Sequence, residues 1–392
     1  MLVSDLIVEV RDGSLNRVGQ IPVDYLSGFI AVKRFNGIGT WGLQLPVGHP
    51  MELLLKQPGA GVVITVRGTV WMSGFTTWLQ TIQTVDDPDG VTQITGLDDS
   101  VLLRDRLAYP TPSTADVTLQ TTAYDVRTGT AEDVMKGYVS DNFGPTAPSA
   151  RKNAALAVET SLSRGATVKG SARFDVMYDL LKGLADASAT AGTTLGFTIV
   201  QAGSALQFKV YQPTDRSSYV RMDIANNKVT ETTYSLAQPK TTRTIVGGSG
   251  DATARVFQER SSYTSLQAET SWGRRIETFV DSRDTSDAAA LATSGDSVLA
   301  TDGKAQITAT VKPSDDQNML FGQHYFVGDT VTVVVGSYEL AAVVTEVGIS
   351  VADDGVRLAC TVGEPKLQDY ESQILNKQAA LASRLNSLER YK

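Results

Sequence analysis

Polar and apolar residues alternate through the first ~110 positions, between short punctuations of glycine, proline and aspartate. LIVEVRD from Leu6, GFIAVKRF from Gly28, WGLQLP from Trp41, GVVITVRG from Gly61 and TVWMSGFTTWLQTIQTV from Thr69 each have the period of two that predicts a strand. Turns are expected at Asp12-Gly13, Pro58-Gly59 and Asp89-Gly90. The last, DDPDG, separates TIQTV from VTQITGL and has hairpin chemistry, since Asp-Gly tolerates the positive φ such turns demand. Several short strands at close spacing predict a barrel or sandwich over residues 1–112.

After the proline-marked joint YPTPSTAD the period lengthens. Thr130-Ala131-Glu132-Asp133 resembles a capping box with Asp in place of the usual Glu, and Val134, Tyr138 and Val139 follow at helical spacing. A stronger helix is expected from about Arg173 to Ala189, where Val176, Met177, Leu180, Leu181 and Leu184 line one face before Gly192 stops it. LGFTIV and ALQFKVYQ then form a hairpin around Ala202-Gly203-Ser204, making 113–216 an α+β module. Strand patterning returns in YVRMDI, VTETTYSL and RTIVGG, and again in GDTVTVVVGSYELAAVVTEVGISV from Gly328. Asp354-Gly355 turns the chain into VRLACTV. We read a second β-module over 217–257 and 319–366, split by a polar, partly helical insertion at 258–318. The segment 367–392 has neither glycine nor proline, and places Leu367, Ile374, Leu381 and Leu388 at successive sevens. A weaker set stands at Glu371, Gln378 and Leu385. This predicts a C-terminal helix with a narrow apolar seam, the pattern of a short coiled coil used in self-association.

Length and composition fit this modular reading. The 392 residues suit two to four modules, and 42% hydrophobic with 20% charged residues can bury sizeable cores. No unbroken apolar run exceeds five residues, and Val331 to Val335 even admits Thr332, so no membrane span is expected. Asp5 and Glu9 stand where a signal peptide needs basic and then apolar residues, so synthesis and folding in the cytoplasm are expected. One cysteine and two histidines, His49 and His324, make neither an internal disulfide nor a zinc site. Cys360 reads as a buried strand thiol. Net charge is −8, from 35 basic and 43 acidic residues without a basic run, which disfavours tight binding to a nucleic acid backbone.

Candidate chemistry is sparse. GIGTWG, Gly37 to Gly42, satisfies G-x-G-x-x-G, but a strand pattern follows it where a dinucleotide site needs a helix N-terminus. GGSG, Gly247 to Gly250, resembles a nucleophile elbow around Ser249, but Asp251 replaces the closing glycine. The doublets Asp86-Asp87, Asp98-Asp99, Asp315-Asp316 and Asp353-Asp354 read as turn residues rather than as glycosidase or cation-binding pairs. Pro88 and a missing glutamate spoil Asp87-x-Asp89-Gly90 as a calcium loop. Trp71, Trp78 and Tyr109 are the candidates for an aromatic binding surface, with packing inside the first β-module as the favoured reading. No catalytic residue, metal ligand or cofactor is expected.

The order and spacing of NGIGTWGLQLP, GLDDSVLLRDRLAYPTP, YDVRTGTAEDVMKGYV, ARFDVMYDLLKGLA, TIVGGSGDATAR, WGRRIETFVDSRD and FGQHYFVGDTVTV give the chain a family likeness over nearly all of residues 1–366. It resembles the minor tail proteins that form the tail-tip (baseplate) hub of long, non-contractile-tailed phages of actinobacterial hosts. The resemblance implies a mainly β fold with α+β insertions: two barrel-like β domains, each with a smaller associated or inserted domain, plus a C-terminal helix. It further implies a structural, non-enzymatic virion protein. Such a protein is a homotrimer whose barrels ring a channel that passes phage DNA without gripping it. Its neighbours would be a distal tail protein ring, the tape measure protein and other tail-tip or fibre proteins. A tail-associated cell-wall hydrolase and a receptor-binding tail protein are the alternatives. Many relatives continue into a hydrolase or fibre domain, and an ending soon after the helix speaks against a lytic role.

The seam at Leu367, Ile374, Leu381, Leu385 and Leu388 generates a test. Each leucine buried against like helices contributes about 1.5–3 kcal/mol. Changing Leu381 and Leu388 to Asp should lower the concentration stability of a trimer while leaving circular dichroism unchanged. An unchanged sedimentation profile would assign the helix to a different partner.

Overall fold

The computed structural model describes residues 5–26, 28–283, 285–315, 319–336, 338–352 and 355–363. Leu367, Ile374, Leu381, Leu385 and Leu388, with Glu371 and Gln378, lie outside the described residues. The chain forms two compact units, residues up to 232 with 310–362, and residues 233–309.

The first unit opens with β1 (Leu6–Arg11), β2 (Arg17–Gln20), β3 (Ile30–Arg34), β4 (Thr40–Pro46), α1 (Pro50–Leu55), β5 (Gly61–Val66), β6 (Thr69–Ile82) and β7 (Val91–Asp98). Alternation in β1 buries Leu6, Val8 and Val10, whereas the continuous apolar run of β5 is buried throughout. The antiparallel order is β2-β1-β5-β6-β7-β4-β3. The hairpin expected at DDPDG joins β6 to β7, with Ile82 opposite Val91 and Gly90 at φ 61°. Glycines let the central strands approach. A Cβ on Gly96 would stand 2.1 Å from the Phe75 carbonyl oxygen and 2.4 Å from the Trp41 ring.

Next come α2 (Val101–Arg104), β8 (Leu107–Ala108), β9 (Asp125–Thr130), α3 (Ala131–Phe143), β10 (Leu156–Val158), β11 (Thr167–Ala172), β12 (Asp175–Val176), α4 (Met177–Thr190), β13 (Gly196–Ala202) and β14 (Ala205–Tyr211). Thr130 caps α3 as expected, its hydroxyl accepting from the Asp133 N–H. Asp133 does not reach back to the backbone, and instead its carboxylate takes the Thr130 hydroxyl at 2.6 Å. The helix expected from Arg173 begins at Met177, because Asp175 and Val176 first pair with Ala108 and Leu107. β13 and β14 form the expected hairpin, with Gly203 at φ 64°. Tyr138, Val139 and Phe143 of α3, Leu181 and Leu184 of α4, and Phe197, Phe208 and Val210 of the hairpin share one buried core. β15 (Arg221–Met222) and β16 (Val229–Ala237) close this stretch.

The second unit contains β17 (Arg243–Gly247), β18 (Phe257–Arg260), α5 (Tyr263–Trp272), β19 (Glu277–Asp281) and α6 (Ala288–Asp302). Its sheet runs β18-β17-β19. Arg243–Gly247, which the sequence pattern grouped with the barrel strands, pairs here with β18 and β19. Gly295 of α6 packs against β17 so closely that a Cβ would stand 2.8 Å from Val246. Ser262 and Ser265 cap α5 reciprocally.

The chain returns through β20 (Gln306–Pro313), β21 (Thr330–Val335), β22 (Tyr338–Ala352) and β23 (Gly355–Gly363). β22 pairs antiparallel with β21, β23 and β3, placing Ile349 opposite Ala31. One sheet of thirteen strands among the described residues therefore joins β1–β7 to β15, β16 and β20–β23. The chain is mainly β, in several sheets. Gly328, at φ 100°, turns into β21 as expected, and the buried Asp329 carboxylate fixes that turn by accepting from the Thr214 N–H at 2.8 Å and the Phe326 N–H at 3.0 Å. Among the described residues no helix is long and apolar enough to cross a membrane.

Gly96 sets the approach of β6, β7 and the Trp41 ring. Gly96→Ala should therefore cost at least the ~1–3 kcal/mol of an overpacked core, read as a lower urea midpoint with an unchanged slope. A midpoint equal to wild type would show that these strands can part freely.

Candidate functional site

The fold accounts for most motif residues locally. Gly37 and Gly39 lie between β3 and β4, and the chain runs on into a strand rather than a helix. Gly39 donates its N–H to the Asp98 carboxylate at 2.7 Å. Ser249 sits in the turn after β17, its N–H bonded to the Thr285 carbonyl at 2.8 Å and followed by Gly250 at φ 110°. Both histidines belong to the first unit, whereas Ser249 belongs to the second. His49 caps α1 through Nδ1, and His324 Nδ1 accepts from the Leu320 N–H at 2.9 Å. Cys360 is buried in β23 with its thiol pushed up to about 12 by burial.

Of the acidic doublets, Asp87 accepts from Gly90 N–H within its turn. Asp315 binds Arg67 at 2.6 Å and the Phe321 N–H at 3.0 Å. Asp316, Asp353 and Asp354 lie outside the described residues. Among the described residues no group of three His, Cys, Asp or Glu is arranged to hold a metal ion. Trp71 is buried edge-on to Phe321, Trp78 is exposed, and Tyr109 is half-buried beneath the Arg151 guanidinium.

Asp98-Asp99 is the exception, a doublet at the end of β7 with both carboxylates buried. Asp99 takes the Arg11 guanidinium on both oxygens and the Ser73 hydroxyl on one. Arg11, buried to the same degree, reaches the Gln201 side-chain oxygen at 3.0 Å and lies 4.8 Å over the Phe75 ring. Gln201 donates its N–H to the Ser73 hydroxyl at 2.7 Å, and its amide to the carbonyls of Leu15 and Gly203. Asp98 accepts from the Gly39 and Ser100 N–H groups, yet burial still pushes its pKa up to about 6. Lys33 is pushed down to about 8 by burial, and donates to the Trp71 carbonyl at 2.6 Å.

A second polar centre holds the α+β module. Buried Glu132 at the start of α3 accepts from Arg164 at 2.8 Å, from Lys136 at 2.6 Å and from the Arg164 N–H at 2.9 Å. Burial alone would raise its pKa, but these donors outweigh it and hold the carboxyl well below the usual range. Arg11, Ser73 and Gln201 escaped the sequence reading, because nothing local marks partners 88 and 190 positions apart. The one local trace is Arg11 itself, an inward residue that breaks the alternation of β1. In both centres the carboxylates are buried and met by internal donors. They act as fasteners, with no face open to a substrate.

The chain's likeness to known proteins bears on what such a frame serves. A family model described as Siphovirus ReqiPepy6 Gp37-like protein matches residues 7–364. Among solved structures, the chain is similar to the 43 kDa tail protein of prophage MuSo2 from Shewanella oneidensis. The TM-score is 0.55 at 10% identity, over 91% of this chain and 97% of that one. It is also similar to the tail protein from Neisseria meningitidis MC58, with TM-score 0.54 and 11% identity over 92% of this chain and 96% of that one. At such identities the likeness is one of fold. No curated protein matches the chain significantly.

The Asp99 centre predicts an asymmetry. Asp99→Ala leaves the Arg11 charge buried without its counter-ion and should cost about 3–5 kcal/mol, whereas the double variant Arg11→Met/Asp99→Leu should cost less than either single change. Urea titration of the four proteins of this cycle measures the coupling. Additive losses would mean that the pair is not a unit.

Proposed function

The chain belongs to the family of Siphovirus ReqiPepy6 Gp37-like proteins, and we propose that it is a structural protein of the tail tip in a long, non-contractile-tailed phage of an actinobacterial host. Three copies form the hub, with two β-modules from each arranged around a channel. The hub meets a distal tail protein ring on one side, and the tape measure protein and other tip or fibre proteins elsewhere. DNA passes through it transiently. The observation that carries this reading is the end-to-end likeness of the fold to phage tail proteins.

Physical features support it. A mainly β frame fastened by sealed ion pairs suits a part that must hold its shape under load. A net charge of −8 with mixed signs suits a channel that does not hold DNA phosphates. The second unit supplies a contact for an adjoining tail component. Phe257 and Phe279 stand 56% and 53% exposed on the sheet face opposite α6, with the Arg255 guanidinium 5.6 Å and 5.3 Å from their rings. The reading assigns no catalytic step to the chain.

The purified protein should sediment at three times the 41.9 kDa chain mass and appear in electron micrographs as a ring. Phage carrying a stop codon early in its gene should make no infective virions until the protein is supplied in trans. A protein monomeric at every concentration, together with complete virions in its absence, would overturn the proposal.

A further inference from the structure

We propose that the surface carrying Tyr109, Tyr124 and Phe174 is a binding site for an anionic saccharide. Rings and guanidinium groups follow one another there. Arg173 stands 5.7 Å over the Tyr124 ring, Phe174 meets Tyr109 edge-on at 5.1 Å, and Arg151 lies 3.4 Å over Tyr109. Tyr124 is 52% and Phe174 37% exposed, so these rings are not spent on the core.

Two further observations set the surface apart. Phe174 holds φ at 63°, a left-handed conformation that costs a bulky residue about 1–3 kcal/mol. It is kept there by its N–H bond to the Ala108 carbonyl at 2.7 Å and by the Arg173 N–H bond to the Asp175 carboxylate at 2.7 Å. The fold thus maintains strain in order to present an aromatic side chain at its surface. The charge is also uncompensated. Arg11, Arg34, Arg67, Arg127, Arg164 and Arg216 each hold a carboxylate. Arg173, Arg151 and its neighbour Arg106 are, among the described residues, ion-paired with none. The Arg151 guanidinium has only neutral acceptors, the Asn142 side chain and the Leu107 carbonyl. In a chain of net charge −8, the exposed Arg173 guanidinium beside these rings leaves room for an external anion, and the buried Arg151 adds its positive charge from the interior.

The remaining groups favour a saccharide as the carrier of that anion. Flat exposed rings suit the C–H face of a pyranose, and the guanidinium fork suits a carboxylate or phosphate. An acidic peptide would use the cations without needing the exposed rings. Single-stranded nucleic acid would use both, but its phosphate at every residue is opposed by the chain's net negative charge. The inference rests on this surface alone and not on the hub reading.

Calorimetric titration of the full chain tests it. The probes are hexagalacturonate, bearing carboxylates, and a phosphomannan oligosaccharide, bearing phosphates, beside neutral cellohexaose, hexaglutamate and hexathymidylate. At least one acidic saccharide should bind, more weakly as NaCl is raised. Arg173→Gln and Tyr124→Ala, both at exposed positions, should each weaken it about tenfold, the loss of one charge-assisted or stacking contact, with an unchanged thermal melt. The proposal is overturned if neither acidic saccharide binds or if the variants bind as wild type does. Equally tight binding of cellohexaose, hexaglutamate or hexathymidylate would also overturn it.

Discussion

Arg11 and Asp99 can remain ionised inside the first unit only because the protein supplies what water would have given them. Two charges out of solvent cost several kcal/mol each, and their attraction offsets that cost only when the remaining donors and acceptors are met. Asp99 takes three donors, from Arg11 and Ser73, and Arg11 passes another to Gln201. The accounting is not perfect. Arg11 Nε is buried without a hydrogen-bond partner among the described residues, which lowers the net stabilisation the centre provides.

That requirement fixes much else. Gln201 is held by Ser73 and Ile199 by Ser100, both hydroxyls accepting β13 N–H groups, so the hairpin strand of the α+β module is stitched to the end of β7 and to β6. From the far side the glycine-rich turn between β3 and β4 does the same. Asn36 accepts the Phe197 N–H and donates to the Leu195 carbonyl, each at 2.9 Å, while Tyr178 of α4 donates to the Asn36 carbonyl. The same β13 contributes Phe197 and Ile199 to the core beneath α3 and α4. Polar registration and apolar packing therefore select one placement of the module, and neither could shift without leaving the other unmet.

What could be read from the sequence follows from the range of each interaction. The Asp-Gly hairpin, the β13-β14 hairpin and the Thr130 cap are local, and each appeared near where its residues announced it. The pairing of β22 with β3 was not visible, because any alternating strand can add to any free edge. RTIV misled for the same reason: its apolar pattern suits a barrel strand, but Thr244 and Val246 pack under α6. At the polar centres the doublet Asp98-Asp99 was visible as chemistry, although aspartates beside turns are ordinarily solvated. Only burial, which depends on residues 88 and 190 positions away, reverses that reading.

Arginine shows how one residue type divides between frame and contact. In the interior its planar fork is matched by carboxylates at fixed geometry, as Glu132 matches Arg164 and Asp315 matches Arg67, and each match removes a degree of freedom from the fold. On the ring-lined surface of the α+β module the exposed Arg173 lies over the Tyr124 ring instead, where a cation gains on the order of 0.5–1 kcal/mol and keeps its capacity for an anion. A residue placed so is stabilised too weakly by its ring to be needed for folding. Its charge remains available, and the strained Phe174 beside it shows that the backbone is held to keep that surface in place.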